Sequence, residues 1–141
     1  MEKSLFSKVS SVYLPTNNIE ESIKWYVEKL GFNLKMGAFL DQGTGGNVCV
    51  LTVPNGDTVI LLVETENETS TTFLRNGKPY SAFAITCEDL HYTHQNLKER
   101  GIEVTDIVSR GGEGNGNDTA LYFYIKDPMG NLIEAAWSIW D

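Results

Sequence analysis

Few residues of this chain have the type and spacing that chemistry demands, and most lie in its second half. Glu134 ends the run Asp127-Pro128-Met129-Gly130-Asn131-Leu132-Ile133-Glu134, and a carboxylate there can hold a cation, accept a ligand's hydrogen bond or take up a proton, or else simply pair with a neighbouring donor as part of the fold. Tyr122 and Tyr124 alternate with Leu121, Phe123 and Ile125. By strand parity the two phenols share a face, and their flat apolar rings with polar tips either suit a planar or cationic ligand or simply fill a core. His91 and His94 stand at i, i+3, a spacing that can serve a metal on a helix. Leu90, His94 and Leu97, however, recur as one helical stripe. His94 is therefore expected to pack between helix and sheet, with His91 at the edge of that face. Ser11 has no His or Asp partner at a recognisable spacing, which argues against a nucleophilic serine. Cys49 and Cys87 lie in apolar runs without Cys-x-x-Cys spacing and read as buried small side chains.

The elements that must position these residues form an internal repeat. Lys8 to Leu14 alternates like a strand. Asn18 then caps a helix with Glu21 three residues on, Ile19, Ile23, Tyr26, Val27 and Leu30 make its apolar stripe, and Gly31 stops it. Strands follow over Phe32 to Met36, Val48 to Val53 and Thr58 to Glu64, broken by Gly43-Thr44-Gly45-Gly46 and by Pro54-Asn55-Gly56-Asp57. The second half repeats β-α-β-β-β: a strand over Ser81 to Cys87, a helix from the Asp89 cap to Arg100 and Gly101, and strands over Glu103 to Val108, Thr119 to Ile125 and Leu132 to Ser138. The helix-stopping glycines Gly31 and Gly101 lie 70 positions apart and the turn glycines Gly56 and Gly130 lie 74 apart. The expected fold is α+β: two tandem βαβββ modules, about 8–66 and about 80–138, forming a curved mixed sheet around a shared cleft with the helices on the outer face. The acidic run Glu64, Glu66, Glu68 reads as a solvated strand end and linker. Arg110-Gly111-Gly112-Glu113-Gly114-Asn115-Gly116-Asn117 resembles a nucleotide fingerprint only superficially, because a strand follows it. It reads as a hairpin loop, with a flap over the cleft as the alternative.

At 141 residues the whole chain, 1–141, reads as one independently folding domain. A net charge of -8 argues against nucleic acid and anionic lipid as partners. The first residues lack the apolar core of a signal peptide, and no run approaches the roughly 20 apolar residues of a membrane span. A cytoplasmic protein without membrane attachment is expected.

The repeat, Trp25-Tyr26 ahead of Leu30-Gly31-Phe32, and the Asp-Pro-x-Gly-Asn-x-x-Glu ending together resemble the vicinal oxygen chelate superfamily of glyoxalases, bleomycin resistance proteins and dioxygenases. In its metal-dependent members the resemblance implies four ligands, His, Glu or occasionally Gln, from the first and fourth strands of each module. Carried over singly, those positions fall at Ser11, at Ile60 or Leu61, at Ala82 and at Glu134. Only Glu134 can coordinate as the family does, whereas catalytic zinc sites commonly keep three protein ligands. No cofactor is therefore expected; a divalent metal enters only if the strand alignment is displaced.

The reading that follows is a metal-free binding protein resembling the bleomycin-resistance branch, taking a small molecule in an aromatic-lined cleft. Ser11, Tyr13, Tyr122, Tyr124 and Glu134 are its expected ligand-binding residues, Ser11 and Tyr13 sharing one strand face. The acidic surface favours a cationic ligand. The alternative is a lyase, isomerase or dioxygenase of the same superfamily acting through Glu134 as the catalytic group, with or without a divalent metal. Trp25, which lies off its helix stripe, and Trp137 and Trp140 near the end suggest a subunit contact, in line with the homodimers that the resemblance implies.

Overall fold

Both helices start where their caps dictate. A computed structural model of the chain describes residues 3–67, 69–110 and 119–141. Helix α1 (Ile19–Leu30) opens with the Asn18 side chain accepting the Glu21 N–H at 3.2 Å and closes on Gly31 at φ 75°. Helix α2 (Leu90–Glu99) opens with Asp89 accepting the Tyr92 N–H at 3.1 Å, and Gly101 follows it at φ 77°. Caps of this kind stabilise a helix by about 1 kcal/mol each.

Strands β1 (Ser11–Thr16), β2 (Asn33–Leu40), β3 (Asn47–Thr52) and β4 (Val59–Glu64) form one sheet in the order β1-β4-β3-β2. The next two, β5 (Phe73–Arg75) and β6 (Lys78–Tyr80), pair as a separate hairpin. Strands β7 (Ala84–Thr86), β8 (Val108–Ser109), β9 (Ala120–Lys126) and β10 (Leu132–Ser138) form a second sheet in the order β7-β10-β9-β8. The repeat is thus exact in topology: in each module the first strand pairs in parallel with the last, and the remaining pairings are antiparallel. Pro15 is tolerated in β1 because that strand lies at the sheet edge. This is the α+β architecture of two βαβββ modules expected from the sequence. No helix among the described residues is long and apolar enough to cross a membrane.

Alternation divides each strand into a core side and an open side. Leu14, Cys49, Leu51, Ile60 and Leu62 meet Ile19, Ile23 and Tyr26 of α1, while Phe123, Ile125, Ile133 and Ala135 meet Leu90 and Leu97 of α2, all in one continuous buried cluster. His94 behaves as its stripe predicts. Its ring stands edge-on to Phe123 at 4.7 Å, with Nε2 at 2.8 Å from the Thr105 carbonyl. Cys49 is buried and Cys87 half-buried. Trp25 stands edge-on to Tyr26 and packs partly against the core, as Trp137 does, whereas Trp140 is exposed.

Three expected strands have shifted ends, since β1 starts at Ser11 and runs through Pro15 to Thr16, β2 runs on to Leu40, and β7 keeps only Ala84–Thr86 of the run Ser81 to Cys87; two further segments depart more fully. The strand expected over Glu103 to Val108 is reduced to a bridge from Val104 to Ile125 and the two residues of β8. There the Thr105 hydroxyl accepts the Tyr124 N–H at 2.8 Å, so a side chain takes a place that a ladder carbonyl would fill. The second is the β5–β6 hairpin, which occupies the stretch between the modules. Its turn is Asn76-Gly77 with φ 53° and φ 77°, the left-handed pair that a two-residue hairpin turn requires.

Candidate functional site

Because Ile133 and Ala135 point into the core, Glu134 must point to the open face of the second sheet, and it does so while only 7% exposed. A buried carboxylate needs a partner. Here it is Arg110, at the end of β8: Nη2 donates to Glu134 Oε1 at 2.6 Å and Nη1 to Oε2 at 3.4 Å. The same Nη2 donates to the Tyr80 hydroxyl at 3.0 Å, and the guanidinium carbon lies 4.1 Å from the centre of the Tyr122 ring. The hydrogen bond that Arg110 donates to Glu134 pushes its pKa upward, so its charge is permanent.

Three tyrosines surround the pair. Tyr122 and Tyr124 are neighbours along one face of β9, their ring centres 5.5 Å apart, and Tyr124 lies 6.0 Å from Tyr80 on β6. Tyr124 is also the ladder partner of Glu134. Burial, with Tyr80 and Glu134 close by, pushes its phenol up to about 12, so it stays a neutral hydroxyl. Phe73 extends the aromatic surface from the far side of Tyr80, at 5.3 Å.

The register relates the two modules around the positions for which the resemblance implies metal ligands. Leu61 sits beside Tyr13 as Glu134 sits beside Ala84. Of the two residues that the resemblance offers for the second position, Ile60 is in the core and Leu61 is half-buried. Ser11, Leu61, Ala82 and Glu134, with Tyr13 and Ala84 next to them, provide one carboxylate, and that carboxylate is paired with Arg110. Among the described residues no three His, Cys, Asp or Glu side chains gather as a metal would need. The donor set does not fit a divalent ion.

Tyr122, Tyr124 and Glu134 are brought together, while Ser11 and Tyr13 are not joined to them. Tyr13 lines a cavity of about 980 Å³ on the first module, together with the apolar Phe39, Val48, Leu61 and Val63 and the acidic Asp41, Glu64 and Glu66. Tyr124 lines another of about 570 Å³ on the second module, with Val104, Thr105 and Leu132. A third, of about 560 Å³, lies between the 53–58 turn and β7 and includes Ile60 but none of the expected ligand-binding residues. The Ser11 hydroxyl faces only that of Ser10, at 3.4 Å, within the contacts of the described residues. Sequence reasoning missed Arg110 and Tyr80. Arg110 was legible only as the first residue of a glycine-rich run, and Tyr80 follows an Asn-Gly hairpin turn that the linker reading passed over. The flap suggested for 110–117 lies, after Arg110 itself, outside the described residues.

Several solved structures agree with this topology. TnmS3, an antibiotic binding protein from Streptomyces sp. CB03234, superimposes with a TM-score of 0.68 at 21% identity, over 96% of this chain and 99% of that one. A glyoxalase/bleomycin resistance protein/dioxygenase superfamily member from Sphaerobacter thermophilus DSM 20745 does so at 0.70 and 19%, over 96% and 100%. A putative glyoxalase family protein from Bacillus anthracis gives 0.64 and 20%, over 97% and 99%. At these identities the likeness is one of fold. No curated protein matches the chain. The family model for the Glyoxalase/Bleomycin resistance protein/Dioxygenase superfamily matches residues 8–135, and the chain belongs to that superfamily.

Proposed function

We propose that this protein binds a small molecule without a metal, on the tyrosine-lined face of its second module. The observation that carries the reading is the Arg110–Glu134 pair. The one carboxylate at a family metal position has both oxygens directed at a guanidinium, 2.6 and 3.4 Å away. On this reading the Arg110 guanidinium supplies the positive charge that a metal held by Glu134 would otherwise bring. Tyr80, Tyr122 and Tyr124 supply the broad, weakly polar area that ligand sites favour. That a protein of the same fold, TnmS3, is an antibiotic binding protein supports the same reading. An enzyme acting through Glu134 would first have to draw the carboxylate away from Arg110, which makes catalysis the weaker alternative. Unpaired Cys49 and Cys87 accord with a cytoplasmic protein.

We also read the working unit as a homodimer. All eight residues of the edge strand β2 are exposed, and Leu34, Met36, Phe39 and Leu40 are among them. A long apolar edge strand is a template for another chain and is seldom left uncovered.

Elemental analysis after purification without chelators tests the metal-free reading, alongside thermal shifts with nickel, zinc, manganese and iron(II). Substoichiometric metal and no specific shift are expected; stoichiometric metal that disappears in Glu134→Ala would overturn it. A broad small-molecule thermal-shift panel tests binding itself, with Tyr122→Ala and Tyr124→Ala expected to lose the responses of the wild type.

A further inference from the structure

Arg110 is more than a counter-ion, because every constraint on it fixes the plane of its guanidinium. Glu134 takes one edge through both Nη atoms, and the Tyr80 hydroxyl accepts from Nη2. Tyr122 covers one face at 4.1 Å. The side chain nevertheless remains 38% exposed, while that of its partner Glu134 is 9% exposed. A planar cation stacked on an aromatic ring, with its edge anchored and its surface still accessible, is a prepared platform for a second ring. We propose that Arg110 is the specificity-determining residue of this site and that the ligand is a planar, electron-rich aromatic molecule, neutral or anionic rather than cationic. This rests on the small-molecule reading above.

Local charge supports the ligand class. The net charge of -8 favours cations over the whole surface, but the site itself is not acidic, because Glu134 is neutralised by its partner. A cationic ligand stacked there would meet the guanidinium at van der Waals distance, in surroundings where burial strengthens repulsion. An electron-rich ring instead gains from the cation on one side and from Tyr124 beside it. The neutral Tyr124 hydroxyl can donate to an oxygen on that ring. The guanidinium is thereby sandwiched between Tyr122 and the ligand. Lysine cannot replace it, since an ammonium has neither the flat face nor the two-pronged edge that Glu134 holds.

Three probes with one ring system separate these terms: 2-naphthoate, 2-naphthol and (2-naphthylmethyl)trimethylammonium. Each is titrated calorimetrically into the full chain as wild type, Arg110→Lys, Tyr122→Leu and Tyr122→Phe, with thermal unfolding checking that each variant is folded. The naphthoate and the naphthol are expected to bind wild type and Tyr122→Phe at least about tenfold more tightly than the ammonium. Arg110→Lys and Tyr122→Leu are expected to weaken both by about tenfold. If the ammonium binds as tightly as the naphthoate, or Arg110→Lys leaves naphthoate affinity unchanged, the inference is overturned and the small-molecule reading stands. If no naphthalene probe binds but another compound of the broad panel does, the ligand class is wrong and the binding reading again stands. If nothing binds in either experiment, both fall.

Discussion

Tyr26, on the helix of the first module, donates its hydroxyl to Asp127 Oδ2, in the closing turn of the second, at 2.6 Å, and both residues are buried. Asp127 is saturated by this arrangement. Oδ1 accepts the N–H groups of Met129 and Asn131 at 2.9 and 2.8 Å, and Oδ2 also accepts from the Asn131 amide at 2.7 Å. Asn131 in turn donates to the Pro15 carbonyl in β1 and accepts the Thr71 N–H ahead of the hairpin. The Asp-Pro-x-Gly-Asn motif is therefore a clasp between modules as well as a turn. A second clasp repeats itself about a pseudo-twofold: Lys29 Nζ donates to the Arg100 carbonyl and Arg100 Nη1 to the Lys29 carbonyl, between residues 71 positions apart. An exchange in which each residue offers the other the same contact is how related surfaces meet about a twofold.

Replacing Tyr26 by Phe removes one charge-assisted hydrogen bond and leaves Asp127 short of a donor in the interior. A loss of about 1.5–3 kcal/mol is expected in urea unfolding, the range for a bond to a charged group. The change also has a pH signature. Burial, then the charge and hydrogen bond of Asp127, push the Tyr26 phenol well above its ordinary 10.0. Below that ordinary value both folded and unfolded chains hold the proton, and the contribution is complete. As pH rises past 10 the unfolded chain releases it first, so stability falls until the folded value is reached. Tyr124 and Cys49 are pushed up to about 12 and about 11, but they remain in both proteins. Wild type should accordingly lose stability above pH 10 more steeply than Tyr26→Phe. Parallel curves would mean that Tyr26 does not hold its proton in the way described.

The fold was readable because its signals are local. Asn18, Gly31, Asp89 and Gly101 act on backbone within a few residues, and the parity of Ile133, Glu134 and Ala135 follows from the strand alone. The same parity brought Tyr122, Tyr124 and Glu134 to one face. Arg110 was not readable because its role depends on partners 24 and 30 positions away, and nothing in the sequence around it signals a buried carboxylate. Tyr80 was missed for a different reason. Asn76-Gly77 is a strong hairpin signal, but the βαβββ repeat has no place for a hairpin between its copies, and the repeat dominated the reading. Ser11 and Tyr13 share a face as expected, yet a common face within one module says nothing about where the other module's tyrosines lie.

Gly77 tests whether that hairpin matters to the site. A Cβ there would meet nothing within 4 Å, so Gly77→Ala introduces backbone strain at φ 77° without a clash. A cost of about 1–2 kcal/mol is expected for an L residue in the left-handed region. Among the described residues the hairpin pairs with no other strand, and Phe73 and Tyr80 meet across it. The strain should therefore be relieved locally. Amide hydrogen exchange should accelerate at Phe73 and Tyr80 while the β9–β10 ladder keeps its protection. Uniform acceleration over the whole chain would show instead that the hairpin belongs to the cooperative core.

The exposed edge of the first module makes the homodimer testable without touching the core. Met36 and Leu40, 53% and 58% exposed, lie on β2, which among the described residues pairs only with β3. Lysines at an edge strand are the usual means of preventing pairing, because joining a second copy would bring their charges together and strip them of water. Met36→Lys with Leu40→Lys should leave unfolding stability within about 0.5 kcal/mol, since neither side chain is buried. In sedimentation equilibrium the wild type is expected to associate and the double variant to run as a monomer. A wild type that is already monomeric at the same concentration would remove the homodimer. Association that survives both lysines would move its contact away from β2, leaving the apolar tail around Ile139 and Trp140 as the next surface to alter.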